Sequence, residues 1–137
     1  MKNYFKNIFN ADNPKFVNAI DELPFWSAPF GLTLLDTVKL KSNIKALDVG
    51  CGTGFPLFEL AGRLGESCMV YGIDAWDKAV EKVKHRISLY ELSNIEAINC
   101  EAENLPFENN FFELIVSNNG INNVRNLEKT VSETYRV

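Results

Sequence analysis

The sequence predicts an α/β fold with a doubly wound parallel sheet. From Lys45 onward, short apolar runs of strand type alternate with segments whose apolar residues recur at helical spacing. Alternation of this kind implies parallel strands joined by right-handed crossovers. The first strand also runs directly into Gly50-Cys51-Gly52-Thr53-Gly54, a glycine run placed between a strand and a helix. The chain has 137 residues, 46% of them hydrophobic and 23% charged, the size and balance of a single domain, 1–137. A chain of this length buries roughly two thirds of its unfolded surface and needs no disulfide or metal to fold.

Residues 1–44 read as a helical segment ahead of the core at 45–137. Tyr4, Phe5, Ile8 and Phe9 share one helical face, and Phe16, Val17 and Ile20 repeat the pattern after Pro14, a residue suited to a first helical turn. Both stripes read as core. Pro24 and Pro29 punctuate the chain, and Leu32, Leu34, Leu35 and Val38 mark another short helix. Ala46-Leu47-Asp48-Val49 is the first strand. Leu57, Phe58, Leu60, Ala61 and Leu64 form a helix with Pro56 at its start and Gly65 near its end. Residues 69–73 make the second strand. Ala79, Val80, Val83, Ile87 and Tyr90 make one face of a longer helix, whose last turns carry Lys82, Lys84, His85 and Arg86 where they complement the helix dipole. Residues 95–99 and 111–117 are the third and fourth strands, and 127–136 a closing helix. The asparagines at 109–110 and within 118–126 read as turns and loops.

Fourteen basic and eighteen acidic residues give a net charge of −4, which opposes binding to a nucleic-acid backbone. No apolar run approaches the roughly 18 residues of a membrane span, and no apolar stretch follows Lys2 and Lys6 as in a secretory signal. A cytoplasmic protein is expected. Cys51, Cys68 and Cys100 form no closely spaced pair and His85 is the only histidine, so no structural metal is expected. The cysteines read as small packed side chains in a reducing compartment.

The glycines at 50, 52 and 54 remove Cβ atoms that would block a ligand, and they let the next helix present its N-terminus to it. Asp74 ends the second strand. Adjacent parallel strands set their carboxyl ends side by side, so Asp74 stands beside the glycine loop, where its carboxylate can accept both hydroxyls of a ribose. The ligand is a nucleoside cofactor. A dinucleotide fingerprint G-x-G-x-x-G counted from Gly50 puts its last glycine at Phe55, which speaks against a nicotinamide-dependent oxidoreductase, and no P-loop Gly-Lys-Ser/Thr follows.

"ALDVGCGTG" at 46–54 resembles the first motif of the class I S-adenosylmethionine-dependent methyltransferases, and "GID" at 72–74 resembles their second. The stretches Glu101-Ala102-Glu103-Asn104-Leu105-Pro106-Phe107 and 111–117 resemble the third and fourth, and "ETYRV" the helix that follows, all in register from about 45 to 137. The resemblance implies a Rossmann-like sheet of strand order 3-2-1-4 and S-adenosylmethionine as cofactor, with S-adenosylhomocysteine as product. It also implies roles for single residues. The backbone of Gly50, Cys51, Gly52 and Gly54 wraps the methionine part and the ribose. Asp48 faces the methionine ammonium, and Asp74 holds the ribose hydroxyls. Ala75 and Trp76 flank the adenine. Glu101 stands where the family often has Asp against the adenine amino group, and Ala102 offers its N–H to the ring. Asn118 lines the methyl end.

Methyl transfer from a sulfonium is an in-line displacement, so the protein's work is positioning. The sequence offers no clear general base, and no catalytic residue is assigned. Asn118-Asn119-Gly120 departs from the Asn-Pro-Pro-aromatic signature of methylases acting on nucleic-acid bases, which leaves a small-molecule acceptor. The family's sheet has seven strands and this chain supplies about four. The resemblance therefore implies an incomplete domain whose fourth strand is an open edge, suited to pairing with a second copy near Leu114-Ile115-Val116. A non-catalytic module that holds S-adenosylmethionine or its demethylated product is the alternative.

Overall fold

The computed structural model describes residues 13–22 and 27–137. Tyr4, Phe5, Ile8, Phe9 and Pro24 lie outside the described residues, as does the side chain of Ile20. Helices α1 (Pro14–Glu22) and α2 (Ala28–Thr37) precede an alternating core of β1 (Lys45–Val49), α3 (Leu57–Leu64), β2 (Met69–Asp74), α4 (Asp77–Leu89), β3 (Ile95–Asn99), β4 (Leu114–Val116) and α5 (Leu127–Arg136), with a 3-10 turn at Ile121–Asn123 before α5. The four strands are parallel in the order β3-β2-β1-β4, as the family resemblance implied.

Alternation along β1 sorts its side chains onto two faces. Ala46 packs with Val70 against Leu57, Leu60 and Ala61 of α3 and Val80 and Val83 of α4. Leu47 and Val49 turn the other way, toward Ile73, Leu105 and Val137. Tyr71, Phe107, Phe111 and Phe112 extend this second layer as edge-on and stacked rings with centroids 4.7–5.6 Å apart. Arg136 locks the layer by donating to the carbonyls of Leu105 (3.0 Å) and Phe107 (2.7 Å).

Three elements depart from the sequence-based expectation. β4 is three residues long rather than seven, because the N–H groups of Asn110 and Phe112 bond the carbonyls of Arg136 and Val137 at the end of α5 instead of joining the sheet. Tyr90 is 65% exposed, since α4 ends at Leu89 and the turn carries the ring off the buried face. On α2, Leu35 is buried while Leu32 is exposed, so the helical stripe there is narrower than its leucines suggested.

Leu47 is fully buried at the centre of the sheet. Leu47→Ala is expected to lower the unfolding free energy by about 2–5 kcal/mol in urea denaturation, the cost of a cavity in a packed core.

Candidate cofactor site at the carboxyl ends of the strands

The parallel register aligns Asp48 with Gly72 and Val49 with Ile73, so the chain leaves β1 next to the end of β2. The N–H groups of Gly50 and Cys51 both bond the carbonyl of Ile73, at 2.8 and 2.9 Å. The loop then turns over Asp74. The Gly52 N–H donates to Asp74 Oδ2 at 2.8 Å, and the Trp76 N–H donates to Asp74 Oδ1 at 2.8 Å. Each carboxylate oxygen keeps a second lone pair free for a ligand hydroxyl. The sequence expectation that Asp74 stands beside the glycine loop is met by a direct hydrogen bond.

The glycines play different parts. Gly52, with φ +52°, has open space where a Cβ would lie. Gly50, with φ +78°, has the backbone of Gly120 there, so its missing side chain makes room for the chain after β4 rather than for a ligand. The space at Gly54 is taken by the Phe58 ring. Only Gly52 leaves room for a ligand.

A cleft of about 110 Å³ opens beside this loop, over the ends of β1, β2 and β3. Gly50, Asp74, Ala75, Glu101 and Ala102 line it, together with Cys100, Glu103 and the 123–125 segment, to which the sequence reading gave no role. Glu103 is buried and its Oε1 accepts the N–H groups of Arg125 (2.7 Å) and Asn126 (2.9 Å), which pins the far wall. The Asn126 N–H foremost, then Glu103's own N–H and the Arg125 N–H, hold the Glu103 carboxyl below the usual carboxylate range. The signal was present as a second acid two residues after Glu101, but its partners lie more than twenty residues away. Glu101 itself stands on the rim, with its carboxylate 3.2 Å from the Arg125 guanidinium. Cys100 is half-buried rather than packed in the core, because β3 ends at the cleft, and burial followed by the Asp74 charge pushes its thiol up to about 11.

Asp48, Cys51, Gly52, Gly54, Trp76 and Asn118 do not line the cleft. The Trp76 ring lies 6.2 Å from that of Phe16 on α1. Asn118 Nδ2 donates to the carbonyl of Ser27, at the start of α2, at 3.3 Å. Ser117 ties the chain after β4 to the end of β1, its hydroxyl donating to the Val49 carbonyl (2.7 Å) and accepting the Ile121 N–H (3.0 Å).

Asp48 is wholly buried on the α3 side of β1, and neither oxygen has a hydrogen-bond partner. Burial pushes its carboxyl up to about 7, and the Asp74 charge adds to the rise. Cys51 is buried in the core on the α3 side, and burial, then Asp48 and Asp74, push its thiol well above its usual range. An orphaned acid under a bare backbone loop, beside a carboxylate with free lone pairs, fits a cofactor that carries a ribose and positive charge.

The unfolded Asp48 titrates near 3.8 and the folded one near 7. The fold therefore holds a proton that the unfolded chain has lost, and this group's contribution to stability is complete below pH about 4 and declines as pH rises to about 7. Thermal unfolding of the unliganded protein between pH 4 and 8 is expected to show a decline on the order of a few kcal/mol from this group, and a flatter profile in Asp48→Asn. Equal slopes for the two proteins would mean that Asp48 is ionised throughout.

Comparison with known proteins places these features. A family model described as a methyltransferase domain matches residues 40–137. The demethylmenaquinone methyltransferase of Bacillus mycoides (strain KBAB4) is 36% identical over 98 residues, covering 72% of this chain and 41% of that protein. The chain thus spans about two fifths of the length of that curated relative. The crystal structure of a SAM-dependent methyltransferase from Aquifex aeolicus superposes with a TM-score of 0.79 at 26% identity, over 91% of this chain and 66% of the other. An arsenic(III) S-adenosylmethionine methyltransferase from Chlamydomonas reinhardtii superposes with a TM-score of 0.64 at 25% identity, over 78% and 44%.

Proposed function

The chain belongs to the methyltransferase-domain family of class I S-adenosylmethionine-dependent methyltransferases, and on that premise we propose that it binds S-adenosylmethionine over β1, β2 and β3 for methyl transfer to a small molecule. The observation that carries this reading is Asp74, whose carboxylate is fixed by the Gly52 and Trp76 N–H groups and keeps a free lone pair on each oxygen for the ribose. The open backbone of Gly52 faces the methionine part, with Gly50, Cys51 and Gly54 shaping the loop around it. Ala75, Glu101 and Ala102 border the adenine from the cleft wall. Trp76 acts from behind that wall, holding Asp74 by its N–H. Asp48 lies buried at the end of β1 under the loop, where a bound cation would favour its ionised form. Asn118 marks the methyl end, on the α2 side of the Gly50–Gly120 contact.

S-adenosylmethionine supplies a methyl group on a sulfonium, with a neutral thioether as the leaving group. The carboxylates of the cleft are committed to other partners: Asp74 and Glu103 to main-chain N–H groups and Glu101 to Arg125. The chain's contribution is then orientation and desolvation rather than proton transfer. The relatives carry names that specify a quinone precursor in one case and arsenic(III) in another, which supports a small acceptor and makes a demethylmenaquinone the first compound to assay. Three unpaired cysteines suit a reducing compartment, and we place the protein in the cytoplasm. The free edge of β4 at Leu114–Val116 suits pairing with a second copy, which light scattering reads as twice the monomer mass.

Calorimetric titration tests the cofactor. S-adenosylhomocysteine is expected to bind and NAD is not. Asp74→Ala removes charged-acceptor hydrogen bonds worth about 1.5–3 kcal/mol and is expected to weaken S-adenosylhomocysteine binding by roughly ten- to a hundredfold. Binding of NAD alone, or an Asp74→Ala protein with undiminished affinity, would overturn the assignment. With the cofactor bound, turnover of demethylmenaquinone separates a methyltransferase from a module that only binds.

A further inference from the structure

Lys82 and Arg86, which the sequence reading assigned to the α4 dipole, are used differently. Arg86 Nη1 donates to the carbonyl of Thr53 at 3.1 Å, and its Nη2 pairs with Asp21 of α1 at 2.6 Å. Thr53 is the residue between Gly52 and Gly54 in the cofactor loop. Asp21 is nearly buried, and its Oδ2 also takes Lys82 Nζ at 2.7 Å, while Lys82 reaches Asn18 Oδ1 at 2.8 Å. Two cations from α4 therefore hold one carboxylate of α1 in a partly desolvated setting, where an ion pair outweighs its exposed counterpart. At the other end of α1, Phe16 lies on Trp76, whose N–H holds Asp74.

We propose that Arg86 is a positioning residue that joins α1 to the cofactor loop, so that occupancy of the loop and seating of α1 reinforce one another. The planar guanidinium sets two groups, Thr53 and Asp21, in one fixed relation, which a point-charge ammonium does not reproduce. Coupling of this kind is reciprocal: whatever orders the loop seats α1, and whatever frees α1 loosens the loop. The inference rests on the cofactor assignment made above.

S-adenosylhomocysteine titration and hydrogen exchange of the full chain test it. In the wild type, S-adenosylhomocysteine is expected to slow amide exchange across 14–22. Arg86→Lys retains the charge but makes only one of the two contacts, so it is expected to keep the wild-type urea midpoint while binding at least fivefold more weakly. Asp21→Asn leaves the Thr53 contact in place and cuts the link to α1, and it is expected to weaken binding comparably and to abolish the exchange response. Wild-type affinity in either variant, or exchange across 14–22 indifferent to S-adenosylhomocysteine, would overturn the coupling while leaving the cofactor assignment standing. Failure of the wild type to bind S-adenosylhomocysteine at all would bring both down.

Discussion

The Asp74 carboxylate accepts the Gly52 N–H on one oxygen and the Trp76 N–H on the other, each at 2.8 Å, and the geometry of the whole site follows from that pair of bonds. A glycine-rich loop with positive φ at 50, 52 and 54 has little conformational preference of its own. It is held by its surroundings: the Ile73 carbonyl below, Asp74 beside it and Arg86 on the Thr53 carbonyl at its far end. The same carboxylate organises the entry into α4, so a single acid at the end of β2 aligns the loop after β1 and the helix after β2. Asp48 is its counterpart in the interior. Asp74 has two N–H donors and Asp48 has none, so two acids at the ends of neighbouring strands meet opposite environments.

Strand order explains where the cleft opens. In a doubly wound sheet the ligand crevice lies at the carboxyl ends, at the switch in strand order. Here that switch falls between β1 and β4. The β4 side of it is bridged by Ser117 on the Val49 carbonyl and by Gly120 against Gly50. The open part is accordingly displaced toward β2 and β3, with Glu103 and the 123–125 segment as its outer wall. The bridge relies on two residues without side chains meeting back to back, and an alanine at either would drive its Cβ into the other's backbone.

The parts of this arrangement that were legible in the sequence are those with local pattern. Period-two and period-3.6 apolar runs gave the strands and helices, and the glycines and Asp74 fell at strand ends where parallel geometry makes them neighbours. The parts that were not legible depend on partners distant in sequence. Glu103 reads as one more surface acid until the fold brings the 125–126 amides to it. Arg86 sits in a basic helix end that the dipole already accounts for, and nothing local pairs it with residues 33 and 65 positions away. β4 looks seven residues long because its flanks are apolar, and it is shortened by hydrogen bonds to the end of α5. Gly120 reads as a turn glycine, whereas its role is to fit against Gly50.

The boundary of the family match carries a physical consequence. It starts at residue 40, so β1 to α5 lie within it, while α1 and α2 precede it. Yet both helices make polar contacts at the site: Asp21 of α1 to Arg86 behind the cofactor loop, and the Ser27 carbonyl at the start of α2 to Asn118 past β4. Gly31 of α2 comes so close to Phe55 and Asn118 that a Cβ there would strike both side chains. Both helices thus touch the site from outside the matched region, α1 behind the glycine loop and α2 beside Asn118. The glycine loop and Asp74 are set side by side by strand geometry, and the two helices are held to them by contacts that strand geometry does not dictate.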